Sequence, residues 1–197
     1  MRLAVPARRA LMIARDVPGE PRLNTAATPA WPARIHAQFR AQQVRQVGYV
    51  PDAGHRQLIE LCRADDDMHA VPLTTEEEGM GLLAGAWLGG QRGAVLMQSS
   101  GVGNCVNAIA SLTQACRFPL FMLVTMRGDW GEGNPWQLPM GRAVAPVLET
   151  LGLRVVTVDD AADVEDAVSA MLAMCYATES PAAVLLGQRL VGAKAFK

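Results

Sequence analysis

From about Trp31 onward, short continuous apolar runs alternate with longer stretches whose apolar residues recur at helical spacing. Six runs read as strands: QVGYV at 46–50, HAVPL at 69–73, GAVLM at 93–97, PLFMLVTM at 119–126, LRVVTVD at 153–159 and AAVLLG at 182–187. The spacing between them predicts helices over 32–44, 56–63, a stretch starting at Glu76, about 102–115, 142–151 and 162–178. Apolar runs this short, bounded by turn residues, suit strands buried on both faces, as in a parallel sheet. The alternation therefore predicts an α/β fold: a single doubly wound, mostly parallel six-stranded sheet with helices on both faces. Ligands of such sheets sit beyond the carboxyl ends of the strands. Loops 51–55, 73–76 and 98–104 then face the same way, with the long connection 127–141 beside them.

Composition narrows the class. With 197 residues the chain can bury a sizeable core as one domain. A formal charge of −1 and a pI near 6.3 lack the basic excess that a nucleic-acid or membrane-surface partner would require. Apolar stretches such as 119–126 fall short of the roughly 20 residues that span a bilayer. Cys62, Cys105, Cys116 and Cys175 show no metal-type spacing and read as buried free thiols of a cytoplasmic protein. Residues 1–30 place Arg2, Arg8, Arg9 and Arg15 among Ala and Pro, with no acid before Asp16. They have neither a continuous apolar core nor a clear cleavage site, so a loosely ordered extension is expected, with the domain proper at 31–197.

Four segments carry chemistry. In Thr74-Thr75-Glu76-Glu77-Glu78-Gly79 a capping box is available, Thr75 with Glu78, and three carboxylates suit a positive helix start. Gln98-Ser99-Ser100-Gly101-Val102-Gly103-Asn104 is a tight strand-to-helix loop. Its Gly101-x-Gly103 is part of a dinucleotide fingerprint, but Val106 stands at the third glycine position and the next strand ends at Met126-Arg127 rather than at an acid. Asp52 and His55 lie in VPDAGH, where Asp52 reads either as a helix cap or as a group facing a site, and His55 as a proton carrier. The connection Arg127–Gly141 is long, with two tryptophans and four glycines among fifteen residues, which suits a substrate-selecting lid or a subunit contact.

The stretches TTEEEG, AGAWL and VLMQSSGVGN, the VPDAGH loop and the Arg-Gly…Gln…Met-Gly loop closely resemble the pyrimidine-binding half of thiamine-diphosphate enzymes, specifically the sulfopyruvate and phosphonopyruvate decarboxylases. The resemblance spans about residues 31–190. It implies that Glu76, nine residues before Gly85, is the catalytic glutamate that bonds N1′ of the cofactor's aminopyrimidine and favours its imino tautomer. It implies further that Gln98, Ser99, Ser100, Gly101, Gly103 and Asn104 wall the cofactor, and that Asp52, Arg127 and Gln137 meet the substrate; His55, as the histidine nearest that site in the sequence, is expected there with them. Arg127 is the candidate for a second anionic group, with a structural salt bridge as the alternative for a single arginine. Leu138 stands where these relatives often carry histidine.

The family's diphosphate-binding signature is Gly-Asp-Gly followed by a later Asn. Here Gly128-Asp129-Trp130 occurs, and no asparagine follows Asn134. The resemblance thus implies an alpha-type subunit holding no metal itself. A separate beta-type chain would bring the diphosphate-binding domain and Mg²⁺, and self-association is expected as well. Sulfopyruvate is the first expected substrate and phosphonopyruvate the second. The alternatives are another thiamine-diphosphate decarboxylase or carboligase, and a non-catalytic regulatory subunit retaining the fold.

Overall fold

Along β3 (Arg92–Gln98) successive side chains enter two different cores: Ala94 and Leu96 join one buried cluster, Val95 and Met97 the other. A strand covered on both faces needs helices on both, and the computed structural model, which describes residues 30–193, has them. The elements run α1 (Trp31–Ala41), β1 (Val44–Tyr49), α2 (Arg56–Arg63), β2 (His69–Pro72), α3 (Glu76–Leu88), β3, α4 (Val102–Ile109), β4 (Phe121–Thr125), α5 (Leu138–Thr150), β5 (Arg154–Val158), α6 (Val164–Ala177), β6 (Ala182–Leu186) and α7 (Gln188–Val191). The sheet order is β2-β1-β3-β4-β6-β5, and every neighbouring pair is parallel. The expected mostly parallel sheet is wholly so.

Helices α1, α2 and α6 cover one face, through Ile35, Phe39, Leu58, Val168 and Leu172. Phe39 meets Phe121 of β4 edge to face, ring centres 6.3 Å apart. Helices α3, α4 and α5 cover the other, through Met80, Leu83, Cys105, Ile109, Val144 and Leu148. Because all strands run the same way, the segments after β1, β2, β3 and β4 emerge at one edge of the sheet.

Several boundaries differ from the sequence reading. The helix expected over 32–44 stops at Ala41, since Gln43 adopts a left-handed φ of 59° and Val44 already belongs to β1. The stretch expected as one helix over 102–115 is α-helical to Ile109 and π-helical over Ala110–Ala115. The open connection expected over 127–141 is shorter: a single 3-10 turn, Pro135–Gln137, leads into α5 at Leu138. Pro139 lies in the first turn of α5, where its missing N–H leaves no bond unmade. The four-residue α7 is too short to show a helical period and went unrecognised.

Cys62, Cys105 and Cys175 are buried free thiols, each pushed up to about 12 mainly by burial, whereas Cys116, expected to be buried, is exposed. Among the described residues no helix is long and apolar enough to cross a membrane. The extension expected over 1–30 lies outside the described residues, Ala30 apart.

Candidate functional site at the carboxyl edge of the sheet

Helix α3 begins immediately beyond β2, and its first residue, Glu76, turns toward the loop beyond β3. A Cβ on Gly101 would overlap the Cγ, Cδ and Oε1 of Glu76. The carboxylate therefore fills the notch that the absent side chain leaves. Asn104, one turn into α4, donates from Nδ2 to Glu76 Oε2 at 3.0 Å. Among the described residues no donor engages Oε1, and Glu76 is half-buried. Capping falls to a neighbour: Glu78 Oε2 accepts from the Thr74 N–H at 2.8 Å. Thr75 makes no side-chain cap, because the extended chain there offers its carbonyl to Glu78 N instead. The expected Thr75–Glu78 box is thus displaced by one residue, and Glu76 is left out of it. Gly103 has no such constraint, since a Cβ would meet Met140 alone, Cε at 3.6 Å and Sδ at 3.9 Å, both ordinary contacts.

A second group forms around Asp52, beyond β1. Its Oδ2 accepts from Thr125 Oγ1 at 2.7 Å and from Gly54 N at 2.9 Å, and its Oδ1 from Gln98 Nε2 at 3.0 Å. Burial alone would raise this carboxyl, but the bonds from Thr125 and Gln98 outweigh it and hold the pKa below its ordinary value. Asp52 is therefore not the cap of α2, whose cap position is His55. Gly54 must be glycine, because a Cβ would lie 2.7 Å from Thr125 Cγ2 and 2.9 Å from Asp52 Oδ2. On the far side of Gln98, its Oε1 accepts from Ser100 Oγ at 3.2 Å and from Gln137 Nε2 at 3.3 Å.

Three residues expected to face a ligand do something else. His55 is fully buried, with Nε2 between the carbonyls of Met97 at 3.3 Å and Leu123 at 3.1 Å, and its Nδ1 is unpartnered. Burial pushes its pKa down to about 4, so it sits neutral beneath the site rather than in it. Ser99 is buried too; its Oγ accepts from Arg127 N at 3.0 Å and donates to Arg127 O at 3.4 Å, joining the ends of β3 and β4.

Arg127 is the third. Its Nε and Nη2 reach Glu132 Oε2 and Oε1 at 2.6 and 2.8 Å, a bidentate pair. The Arg127 side chain is 10% exposed and that of Glu132 0%. The Arg127 bonds, with the Asn134 N–H and Gln188, hold the Glu132 carboxyl down to about 2. Gln188 donates from Nε2 to Glu132 Oε2 at 3.0 Å and accepts on Oε1 from the N–H groups of Asp129 and Trp130. A lid free along 127–141 is not what results; the first part of the segment is pinned by buried polar bonds. Glu132 and Gln188 were missed in the sequence. The available signals were an acid five residues after a carboxyl-edge arginine, and a glutamine directly following an apolar strand.

Exposed apolar surface flanks the site: Trp136 is 72% and Val106 37% exposed. Trp130 carries the Arg189 guanidinium 3.8 Å above its ring. Among the described residues no group of three or more His, Cys, Asp or Glu is placed to hold a metal ion.

No family model matches the chain. It is 39% identical over 137 residues to the sulfopyruvate decarboxylase subunit alpha of Methanothermobacter thermautotrophicus, covering 70% of this chain and 83% of that one. It is 33% identical over 150 residues to the phosphonopyruvate decarboxylase of Streptomyces viridochromogenes, covering 75% of this chain but only 38% of that protein. Among solved structures it is similar to a 2-oxoglutarate:ferredoxin oxidoreductase from Magnetococcus marinus with 2-oxoglutarate, coenzyme A and succinyl-CoA bound. That match has a TM-score of 0.64 at 13% identity, over 82% of this chain and 29% of the other, and concerns the fold alone.

Proposed function

Because the chain belongs to the sulfopyruvate decarboxylase alpha-subunit family, we propose that it is the pyrimidine-binding subunit of a two-chain, thiamine-diphosphate-dependent decarboxylase. Its substrate is then 3-sulfopyruvate and its products sulfoacetaldehyde and CO₂. The observation that carries this reading is the Glu76 carboxylate. It is half-buried, seated in the Gly101 notch, fixed on one oxygen by Asn104 and engaged by no donor among the described residues on the other.

The residues fit the cofactor's pyrimidine. A flat ring with a basic nitrogen needs a carboxylate partner, a backbone it can approach closely, and polar groups at the rim. Glu76, Gly101 and the Ser100–Asn104 rim offer these. When bound, thiamine diphosphate supplies the electron sink into which the carboxylate carbon's bonding pair moves as CO₂ leaves. Glu76 Oε1 would hold the proton on the ring nitrogen, and Asn104 keeps the other oxygen from turning away. Of Asp52, Gln98, Ser100 and Gln137, the Gln98 and Gln137 amides carry the N–H donors by which a 2-oxo acid would be oriented.

The diphosphate and Mg²⁺ would be held by a separate beta-type chain. Support comes from the relative being a subunit alpha, 83% of whose length this chain covers. The phosphonopyruvate decarboxylase, of which this chain matches 38%, has room for both halves. Exposed Trp136 and Val106 beside Asn104 suit coverage by that partner. Arg127 is already paired with Glu132, so the sulfonate would have to be met elsewhere or to compete for that guanidinium.

The test is reconstitution. The chain would be co-expressed with the product of a neighbouring gene that carries the diphosphate-binding signature, and CO₂ release followed with thiamine diphosphate and Mg²⁺. Turnover of 3-sulfopyruvate by the pair, faster than of phosphonopyruvate and absent from either chain alone, is expected. Robust turnover by this chain alone would sink the two-chain reading, and a preference for phosphonopyruvate would reassign the substrate.

A further inference from the structure

Hydrogen bonds around Gln98 fix which way its amide points. A carboxylate accepts and does not donate, so Gln98 Nε2 must face Asp52 Oδ1, as it does at 3.0 Å. The amide oxygen is thereby turned to the opposite side, where Ser100 Oγ and Gln137 Nε2 donate to it. The one hydroxyl proton of Ser100 is engaged in that bond, so this exposed side chain has only lone pairs left for a ligand. Asn104 shows the same polarity: its Nδ2 donates to Glu76, which leaves Oδ1 as an acceptor.

We infer that Asp52 is a positioning residue that acts through Gln98 to set the polarity of the Ser100 hydroxyl, so that Ser100 presents an acceptor, beside those of Glu76 and Asn104, to a ligand bearing N–H donors. The inference rests on the thiamine-diphosphate reading for the identity of that ligand, an aminopyrimidine with an exocyclic amino group. The hydrogen bonds that keep Asp52 ionised also keep the relay pointing one way.

The geometry makes Asp52→Asn informative. Gly54 N–H and Thr125 Oγ1–H both point at Oδ2 and retain the oxygen of the new amide, so its NH₂ group faces Gln98. The Gln98 amide then has to turn over, its NH₂ meets Ser100, and the Ser100 proton is released outward as a donor. In the double variant Asp52→Asn/Gln98→Glu, the new carboxylate accepts from position 52 on one oxygen and from Ser100 and Gln137 on the other. The original polarity returns.

In the reconstituted complex, calorimetry would compare thiamine diphosphate with oxythiamine diphosphate, whose 4′-oxo group accepts where the 4′-amino group donates. No turnover is needed. The parent complex is expected to prefer thiamine diphosphate, Asp52→Asn to shrink that preference about five- to tenfold, the scale of one hydrogen bond, and the double variant to restore it. An unchanged preference in Asp52→Asn, or no recovery in the double variant, overturns the inference. If the parent complex binds neither cofactor, the thiamine-diphosphate reading fails instead, and a stability cycle on the chain alone decides the relay. Gln98→Glu should then lower the denaturation midpoint by setting two carboxylates together, and adding Asp52→Asn should recover it. Purely additive effects would mean that Asp52 does not orient Gln98.

Discussion

The Glu76 carboxylate occupies the space that a side chain on Gly101 would take. Two residues on different helix starts, 25 positions apart, are thus one steric unit. Gly101 has φ −71° and ψ −20°, an ordinary right-handed conformation, so its lack of a side chain serves Glu76 and not the backbone.

Gly101→Ala is therefore expected to leave stability within about 1 kcal/mol of the parent, while cutting turnover of the reconstituted enzyme at least about 100-fold, the scale of a lost acid–base group. Denaturant titration and initial rates check the two halves. Normal turnover in this variant would mean that the carboxylate works from another position.

Glu76→Gln should keep the fold, because Glu78 and not Glu76 closes onto the Thr74 N–H. A loss of about 0.3–1 kcal/mol is expected for the missing charge at a helix start, together with loss of catalysis. Proton exchange at the thiazolium C2 of the bound cofactor, followed by NMR, separates the roles. An unchanged exchange rate would leave Glu76 a purely structural residue.

Arg127→Ala and Glu132→Gln each break a buried bidentate pair, and each is expected to cost about 3–5 kcal/mol through the charge or dipole left unpaired. Relative KM values for sulfopyruvate and pyruvate should then move together. A KM increase confined to the dianionic acid would return Arg127 to substrate recognition. The pair also has an acid signature. The Glu132 carboxyl is lowered from 4.5 to about 2, so its contribution is complete above about 4.5 and is lost as pH falls toward 2. Stability profiles of the parent and Glu132→Gln should converge over that window.

His55 titrates the other way. Its pKa is lowered from 6.5 to about 4 by burial, so between those values the unfolded chain binds a proton that the folded chain refuses. Stability should decline as pH falls from about 6.5 to 4. The steepness of that decline should lessen in His55→Gln, whose side chain stays neutral while its amide N–H can still reach Met97 O or Leu123 O. An identical slope in the variant would place the titration elsewhere.

The central strands β3, β4 and β6 were legible because continuous burial leaves continuous apolar runs, and the less buried edge strands β2 and β5 because their turn-bounded apolar runs are spaced like the others. The helix start at Leu138 was not, since Pro139 and Gly141 read as loop residues, although proline fits a first helical turn. Of the residues grouped from sequence, Asp52, Glu76, Gln98, Ser100, Gly101, Asn104 and Gln137 gather at one sheet edge in two bonded sets. Ser99 and Ser100 show where sequence stops. A 3-10 turn at Ser99–Gly101 sends one hydroxyl into the protein and leaves the next at the surface, and no pattern in QSSG distinguishes them. The Arg127–Glu132 pairing was equally hidden, because the two are neighbours only after Gly128, at φ 80°, turns the chain back on itself.

The buried set of Arg127, Glu132 and Gln188 also constrains how this chain can drift over evolutionary time. Glu132 answers polar groups of both Arg127 and Gln188 where water scarcely reaches, so exchanging any one of the three strands a buried group. The three positions should change together or not at all: lineages that lose the arginine are expected to have replaced the acid and the glutamine as well, and the tryptophan-bearing segment between them is then released to take up a new shape.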